Sequence, residues 1–186
     1  MRRRDSGAFE ERAHMNVIVV YKSRYGSTRG IAEFIAEKLR EHDVQAEARS
    51  VDTDPDPGEY DAAVIGSAVY MEHWMKEAAE IVRRNRTVLA ERPVWLFSSG
   101  PLRLEPGTSP DDPELEPKEI AEFREVIHPR DHRVFFGALD PGRLGLQHRL
   151  IRKLPAGRAL LPEGDFRDWD EIEAWTGGIA RALGAP

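Results

Sequence analysis

The chain has 186 residues, with 33 acidic residues against 27 basic ones, 40% hydrophobic residues and no cysteine. This composition predicts one globular domain with a sizeable core. The lack of cysteine excludes disulfides and thiolate-held iron–sulfur clusters, so redox chemistry would require a bound organic cofactor. The net charge of −6 argues against a nucleic-acid-binding protein. No apolar run approaches the roughly 20 residues of a membrane span and no signal-peptide pattern is present, so we expect a cytoplasmic protein.

The N-terminal residues 1–14 are polar and lack periodicity, which predicts a flexible tail. We expect the folded domain to cover residues 15–184. Met15 stands just before the first predicted strand and is therefore a second candidate for the native start, beside Met1.

The first strand leads into a polar turn and then into a helix. Residues 17–20 form an apolar, β-branched run typical of a strand buried on both faces, and apolar residues spaced by four follow from Ile31. The free N–H groups at the start of a helix attract anions. The turn therefore predicts a phosphate-binding loop formed by Ser23, Arg24, Tyr25, Gly26, Ser27 and Thr28. The alternative is an ordinary strand-to-helix turn in which Ser27 or Thr28 caps the helix.

Strands and helices alternate along the rest of the chain. Strands are predicted over 44–51, 60–66, 93–98 and 132–138, and helices over 72–89, 119–127, 144–154 and 169–183. A long loop rich in proline and acidic residues covers 102–116. This alternation predicts a three-layer α/β/α sandwich around a five-stranded parallel sheet of order 2-1-3-4-5, with the ligand at the carboxyl ends of the strands.

Small polar residues follow strands 1, 3 and 4, whose carboxyl ends meet in that topology. The second and third loops contribute the candidate residues Ser67, Ala68, Val69, Tyr70 and Trp74, and Ser98, Ser99, Gly100 and Pro101. The aromatic rings of Tyr70 and Trp74 are suited to stacking on a flat heterocycle, although both are also common in cores. A phosphate loop beside an aromatic wall predicts FMN as the cofactor.

The phosphate loop resembles that of the flavodoxin-like superfamily, a Thr/Ser-x-Thr-Gly-x-Thr pattern in which Tyr25 replaces the usual threonine. Residues 60–67, 136–139 and 168–169 are similar to the flavodoxin-domain family that includes menaquinone-dependent protoporphyrinogen dehydrogenase. The resemblance covers about residues 15–183. It implies a flavodoxin-like fold and an FMN-dependent oxidoreductase that moves electrons from a porphyrinogen-type substrate towards a quinone.

Two alternatives to this function stay open. One is a flavodoxin-type electron-transfer shuttle, which would dock to redox partner proteins such as a flavin reductase. The other is a receiver-like signalling domain of the same topology, but such a domain would carry acidic residues where this chain has Ser23 and Ser67.

The segment 143–158 holds five basic residues and no acid. It is a candidate docking face for an acidic partner or for anionic lipid, which would give peripheral membrane contact, although an ordinary solvated face fits as well. The six histidines lack metal-ligand spacing, so we expect no metal site and surface positions for most of them. His73 is a candidate proton relay, no Ser-His-Asp arrangement is apparent, and no catalytic residue is assigned.

Overall fold

Five parallel strands form the central sheet of the computed structural model, which describes residues 15–100, 115–144, 150, 153 and 163–185. The strands are β1 (Asn16–Lys22), β2 (Gln45–Ser50), β3 (Ala62–Tyr70), β5 (Val94–Ser99) and β6 (Asp131–Phe135). They lie in the order β2-β1-β3-β5-β6, while the two-residue β4 (His73–Trp74) pairs only with β3. With β4 set aside, the predicted order 2-1-3-4-5 is confirmed. An antiparallel pair, β7 (Ala138–Leu139) and β8 (Gly164–Asp165), lies apart from this sheet.

Helices cover both faces of the sheet and make the predicted three layers. They are α1 (Ser27–Glu41), α2 (Lys76–Arg84), α3 (Arg86–Ala90), α4 (Glu119–Ile127) and α5 (Trp169–Ala182). One hydrophobic core lies under α1 and α5, and a second lies under α2, α3 and α4. Ile31, Ile35 and Leu39 are all fully buried, because their spacing of four places them on one face of α1.

The parallel register brings the carboxyl ends of neighbouring strands to one edge of the sheet. Lys22 of β1 is level with Ser67 of β3, and Ala68 of β3 is level with Ser99 of β5. Gly66 permits this close packing, since a Cβ atom there would lie 2.0 Å from the ring of Phe97 on the adjacent strand. The ends of β1 and β5 therefore lie beside β3, which extends to Tyr70 before its loop begins.

Several element boundaries differ from the sequence prediction. The strand predicted over 60–66 continues to Tyr70, so residues 67–70 lie in β3 and not in the loop after it, and the helix predicted over 72–89 is divided into α2 and α3. The helix predicted from residue 72 begins at Lys76, because the chain first turns back into β4. The strand predicted over 132–138 ends at Phe135, and Ala138 already belongs to β7. None of the helices in the described ranges is long and apolar enough to cross a bilayer.

Several sequence predictions fall outside the described residues. These are the tail 1–14, nearly all of the loop 102–116, and most of the helix 144–154 and of the basic segment 143–158.

Candidate functional site

A cavity of about 260 Å³ opens at the carboxyl ends of β1, β3, β5 and β6, and we call it the main cavity. It joins the loops that the sequence predicted to converge. It is lined by Ser23, Arg24, Tyr25, Ser27, Thr28, Ala68, Val69, Tyr70, Met71, Ser99, Gly100, Gly137, Ala138, Leu139 and Leu144. The main cavity thus has a hydroxyl-rich end at α1 and an aromatic and aliphatic end beside β3.

The start of α1 has no side-chain cap. Gly26 takes the N-cap position with φ of 95°, a left-handed conformation that favours glycine, and its N–H donates to Ser23 Oγ at 3.0 Å. The first N–H to bond back along the helix is that of Gly30, to the carbonyl of Gly26 at 3.0 Å. The N–H groups of residues 27–29 therefore have no intrahelical partner and form the positive end of the helix dipole. The interpretation in which Ser27 or Thr28 caps the helix is wrong.

The two hydroxyl groups of the first helical turn differ in their bonding. Ser27 Oγ accepts the N–H of Ala138 at 2.9 Å and lies 3.4 Å from Ser99 Oγ, so it ties α1 to the loops after β5 and β6. Thr28 lines the main cavity, is 1% exposed, and its Oγ1 has no hydrogen-bond partner among the described residues. An unpartnered buried hydroxyl is costly, so Thr28 is suited to a polar ligand group.

Arg24 lies between two aromatic rings at the mouth of the main cavity. Its guanidinium carbon is 5.5 Å from the ring centroid of Tyr25 and 5.7 Å from that of Tyr70. No carboxylate in the described part of the chain forms an ion pair with Arg24. Burial, with a smaller contribution from Tyr25, raises the pKa of Tyr70 to about 12 against the opposing charge of Arg24. The phenol of Tyr70 consequently stays neutral and the mouth of the cavity keeps a positive charge.

A second cavity of about 370 Å³, the side cavity, meets the main cavity at four shared residues. The shared residues are Tyr25, Ser27, Ala138 and Leu139. The side cavity lies between the first turn of α1 and the β7–β8 pair, and it also contains Gly26 and several charged residues.

Two of those charged residues place guanidinium groups beside the start of α1. Arg143 Nη1 lies 2.5 Å from the point that a Cβ atom of Gly26 would occupy, and the side chain also pairs with Asp140 at 3.6 Å. Arg167 Nη1 is 3.5 Å from the carbonyl of Ser27, and this side chain is held by Asp165 at 2.5 Å. Each guanidinium is thus paired with a carboxylate, and the two side chains bring N–H donors to the positive end of the helix, where an anion is favoured.

The structure brings ten of the fifteen predicted site residues together in the main cavity. They are Ser23, Arg24, Tyr25, Ser27, Thr28, Ala68, Val69, Tyr70, Ser99 and Gly100. Gly26 lines the side cavity, and Pro101 lies outside the described residues. Ser67, Trp74 and Ser98 are buried and do not line either cavity.

The prediction that Trp74 provides a second stacking ring is wrong. It is 3% exposed, its ring packs edge-on against Phe123 at 5.3 Å, and its indole N–H donates to Ser98 Oγ at 2.8 Å. Trp74 belongs to the core beneath α2 and α4 and does not line the main cavity. Ser67 has a local role as well, since its Oγ accepts the N–H of Met75 at 2.9 Å.

The sequence analysis missed one buried histidine arrangement and several residues that line the two cavities. His132 has a side chain only 3% exposed and bonds to Ser98 and Glu116, so a Ser-His-Glu arrangement exists although none was apparent. The missed lining residues are Met71, Gly137, Ala138, Leu139 and Leu144 in the main cavity, and in the side cavity also Asp140, Pro141, Arg143, Glu163, Gly164, Asp165 and Arg167. Residues 137–139 follow β6, whose carboxyl end lies beside that of β5. Their position after a neighbouring strand could have identified them as lining residues. Within the described ranges, no group of three or more potential ligands could hold a metal ion.

Comparison with known proteins agrees with this architecture. The chain matches the flavodoxin domain over residues 18–156. The chain belongs to the flavodoxin-domain family. The FMN cofactor predicted from the sequence is thereby confirmed at the level of the family. Over 179 residues the chain is 25% identical to protoporphyrinogen IX dehydrogenase (quinone) of Escherichia coli strain K12, covering 92% of this chain and 98% of that protein.

Solved structures share the fold of this flavodoxin domain. A flavodoxin from the domain Archaea superposes with a TM-score of 0.55 at 18% identity, covering 91% of this chain and 99% of that one. Rubredoxin oxygen:oxidoreductase from Desulfovibrio gigas gives a TM-score of 0.58 at 15% identity over 91% of this chain. This chain spans only 36% of the length of the latter protein.

Proposed function

We propose that the main cavity binds FMN, with the phosphate at the start of α1. The observation that carries this proposal is the buried, unpartnered hydroxyl of Thr28 on the cavity wall. The free N–H groups of residues 27–29 and the hydroxyl of Ser23 surround the same end of the cavity. Arg143 and Arg167 bring guanidinium N–H donors to the same end from the side cavity, where Asp140 and Asp165 pair with their charges.

The flavin ring would occupy the other end of the main cavity. Tyr70 and Met71 offer an aromatic and an aliphatic wall there, and Gly100 and Gly137 allow the backbone to approach a flat ligand closely. The hydroxyl of Ser99 supplies a polar group beside them, since it bonds only weakly to Ser27 at 3.4 Å. This assignment places the predicted lining residues other than Arg24 around FMN and excludes Trp74.

We further propose that the protein is an FMN-dependent oxidoreductase that oxidises a porphyrinogen-type substrate and delivers the electrons to a quinone. The similarity to the quinone-dependent dehydrogenase of Escherichia coli over nearly the whole of both chains supports this reading. The described residues that line the main cavity include no carboxylate and no imidazole. FMN, when bound, supplies the acceptor for hydride or electrons, and the chain supplies binding and orientation.

Arg24 is the side chain through which the protein would orient an anionic substrate. It is exposed, it lies beside Tyr70 at the mouth of the cavity, and its charge is not compensated by a carboxylate of the described residues. Replacement of Arg24 should therefore weaken the use of an acidic substrate more than the binding of FMN.

Steady-state oxidation of protoporphyrinogen IX tests this function. The FMN-loaded protein, kept anaerobic with a soluble menaquinone analogue, should form one porphyrin for every three quinones reduced, because the porphyrinogen loses six electrons and each quinone accepts two. Arg24→Gln should lower kcat/KM by about tenfold, or about 1.4 kcal/mol of transition-state binding. Arg86→Gln, an exposed change on α3, is the matched control and should leave the rate unchanged.

Failure of porphyrin formation by the FMN-loaded protein would contradict the dehydrogenase proposal. If a flavodoxin reductase then reduced the bound FMN rapidly, the electron-transfer shuttle would be the better account. Flavin reductase and quinone are thus the two redox partners that this assay separates.

A further inference from the structure

The loop that carries Tyr70 and Met71 into the main cavity is a tight hairpin between β3 and β4. Tyr70 pairs with His73, and the two residues between them, Met71 and Glu72, have φ of 51° and 66°. Hairpin turns with two positive φ values normally use asparagine and glycine, which tolerate this conformation. A turn built from methionine and glutamate persists only where surrounding contacts determine it.

The outer contacts of the hairpin come from the start of α4. One oxygen of Glu119 lies 2.8 Å from His73 Nδ1, and the other accepts the backbone N–H of Trp74 at 3.0 Å. The N–H of Lys118 donates to the carbonyl of Glu72 at 3.0 Å. Burial alone would raise the pKa of Glu119, but the bonds from Trp74 and His73 outweigh it and hold the pKa below its usual value.

The inner contact of the hairpin is a buried chain of side-chain hydrogen bonds. Trp74 Nε1 lies 2.8 Å from Ser98 Oγ, and Ser98 Oγ lies 2.8 Å from His132 Nε2. His132 Nδ1 lies 3.2 Å from Glu116 Oε1, and the carboxylate of Glu116 is also paired with Arg124 at 2.5 Å. The chain runs from the hairpin, across β5 and β6, to the edge of α4.

The chemistry of the two ends, together with a neutral His132, fixes the direction of every bond in this chain. An indole N–H only donates and a carboxylate only accepts. Ser98 therefore accepts from Trp74 and donates to His132 Nε2, while His132 Nδ1–H donates to Glu116. This arrangement satisfies a neutral imidazole completely, and burial lowers the pKa of His132 to about 4.

Ser98, His132 and Glu116 have the connectivity of a hydrolytic triad, but the structure gives them no nucleophilic role. Ser98 is fully buried, does not line either cavity, and uses its oxygen to accept the indole N–H of Trp74. A serine nucleophile must reach its substrate, and the complete burial of Ser98 prevents this.

We infer that the Trp74–Ser98–His132–Glu116 chain holds the β3–β4 hairpin in its strained conformation, which makes Trp74 and His132 positioning residues for the wall of the main cavity. Met71 is 92% exposed and Tyr70 is 37% exposed, so neither side chain is buried deeply enough to fix the hairpin by itself. The inference rests on the proposed function only where it concerns FMN.

Two variants and a matched control test this role. Trp74→Phe keeps an aromatic ring against Phe123 but removes the donor to Ser98, and His132→Phe removes both bonds of the imidazole. Trp95→Phe is the control, because Trp95 is equally buried in β5 and forms no described hydrogen bond through its indole. His132→Gln, which retains an acceptor for Ser98, is the rescue variant.

The first measurement is amide hydrogen exchange on the FMN-free protein. Exchange at the backbone N–H of residue 74 should accelerate about tenfold in Trp74→Phe and His132→Phe relative to Trp95→Phe, with His132→Gln in between. Equal exchange at residue 74 in Trp74→Phe and Trp95→Phe would overturn the inference. This measurement tests the role of the Trp74–Ser98–His132–Glu116 hydrogen bonds even if the protein does not bind FMN.

The second measurement is the dissociation constant and midpoint potential of bound FMN. Trp74→Phe and His132→Phe should weaken FMN binding about tenfold and shift the midpoint potential, whereas Trp95→Phe should change neither. Wild-type affinity and potential in both variants would refute the positioning role and leave the FMN proposal intact. Absence of FMN binding by the wild-type protein would instead refute the proposed function.

Discussion

Thr28 is the single residue on which the proposed phosphate site depends most, because its buried hydroxyl has no partner in the described part of the chain. Thr28→Val keeps the shape of the side chain and removes that hydroxyl. We expect the free energy of unfolding of the FMN-free protein to rise by about 1 kcal/mol, since an unsatisfied buried group is lost. We expect the affinity for FMN to fall at least tenfold, because the phosphate loses a donor.

Thr176→Val is the matched control for this prediction. Thr176 is also fully buried, but its hydroxyl donates to the carbonyl of Ile172 at 2.7 Å. The control should be less stable than wild type and should bind FMN normally. Denaturant unfolding and FMN titration of both variants provide the comparison. A loss of stability in Thr28→Val without a change in FMN affinity would show that Thr28 is only a packing residue.

The residues of the phosphate loop could be predicted because they are adjacent in sequence and their chemistry is local. Arg143 and Arg167 could not be assigned to the same site, since they reach α1 from residues more than a hundred positions away. Trp74 was misplaced for a similar reason. Its exposure depends on which way β4 turns the side chain, and composition does not reveal that direction.

The turn of the β3–β4 hairpin contains a residue in a conformation that favours glycine. Met71 adopts a φ of 51° that costs an L-residue about 1 kcal/mol or more, and glycine adopts it freely. Met71→Gly should therefore stabilise the FMN-free protein by about 1 kcal/mol. Gln45→Gly, an exposed change within β2, should destabilise it instead because glycine weakens a strand. Thermal or denaturant unfolding measures both, and destabilisation by Met71→Gly would contradict the strained turn.

Hydrophobic periodicity predicted all five strands of the sheet and the helices α1, α4 and α5, because each has an apolar face of sufficient length. The same reasoning missed β4 and placed the following helix too early. The Met-Glu turn has neither glycine nor asparagine, so the sequence contains no local signal for a hairpin there. Its conformation depends on α4 and on the buried chain at Ser98, which are distant in sequence.

For the molecule as a whole, topology explains why a binding site could be predicted from separate loops. The predicted order 2-1-3-4-5, which is β2-β1-β3-β5-β6 in the structure, makes the carboxyl ends of β1, β3 and β5 neighbours. The structure accordingly places ten of the fifteen predicted residues in one cavity. The side cavity could not be predicted, because β7 and β8 pair across residues 140–163 and no periodic pattern marks either strand. Local patterns therefore predicted the sheet and one half of the site, while the other half depends on long-range pairing.

The affinity of the FMN-free protein for FMN, compared with its affinity for riboflavin, shows whether the main cavity holds the cofactor by its phosphate. Riboflavin has the same ring but lacks the phosphate that we place at Thr28 and the start of α1. Isothermal titration should show one equivalent of FMN bound at least a hundredfold more tightly than riboflavin, a difference of about 2.8 kcal/mol. Equal affinities for the two flavins, or binding of neither, would contradict a cavity that holds the cofactor by its phosphate.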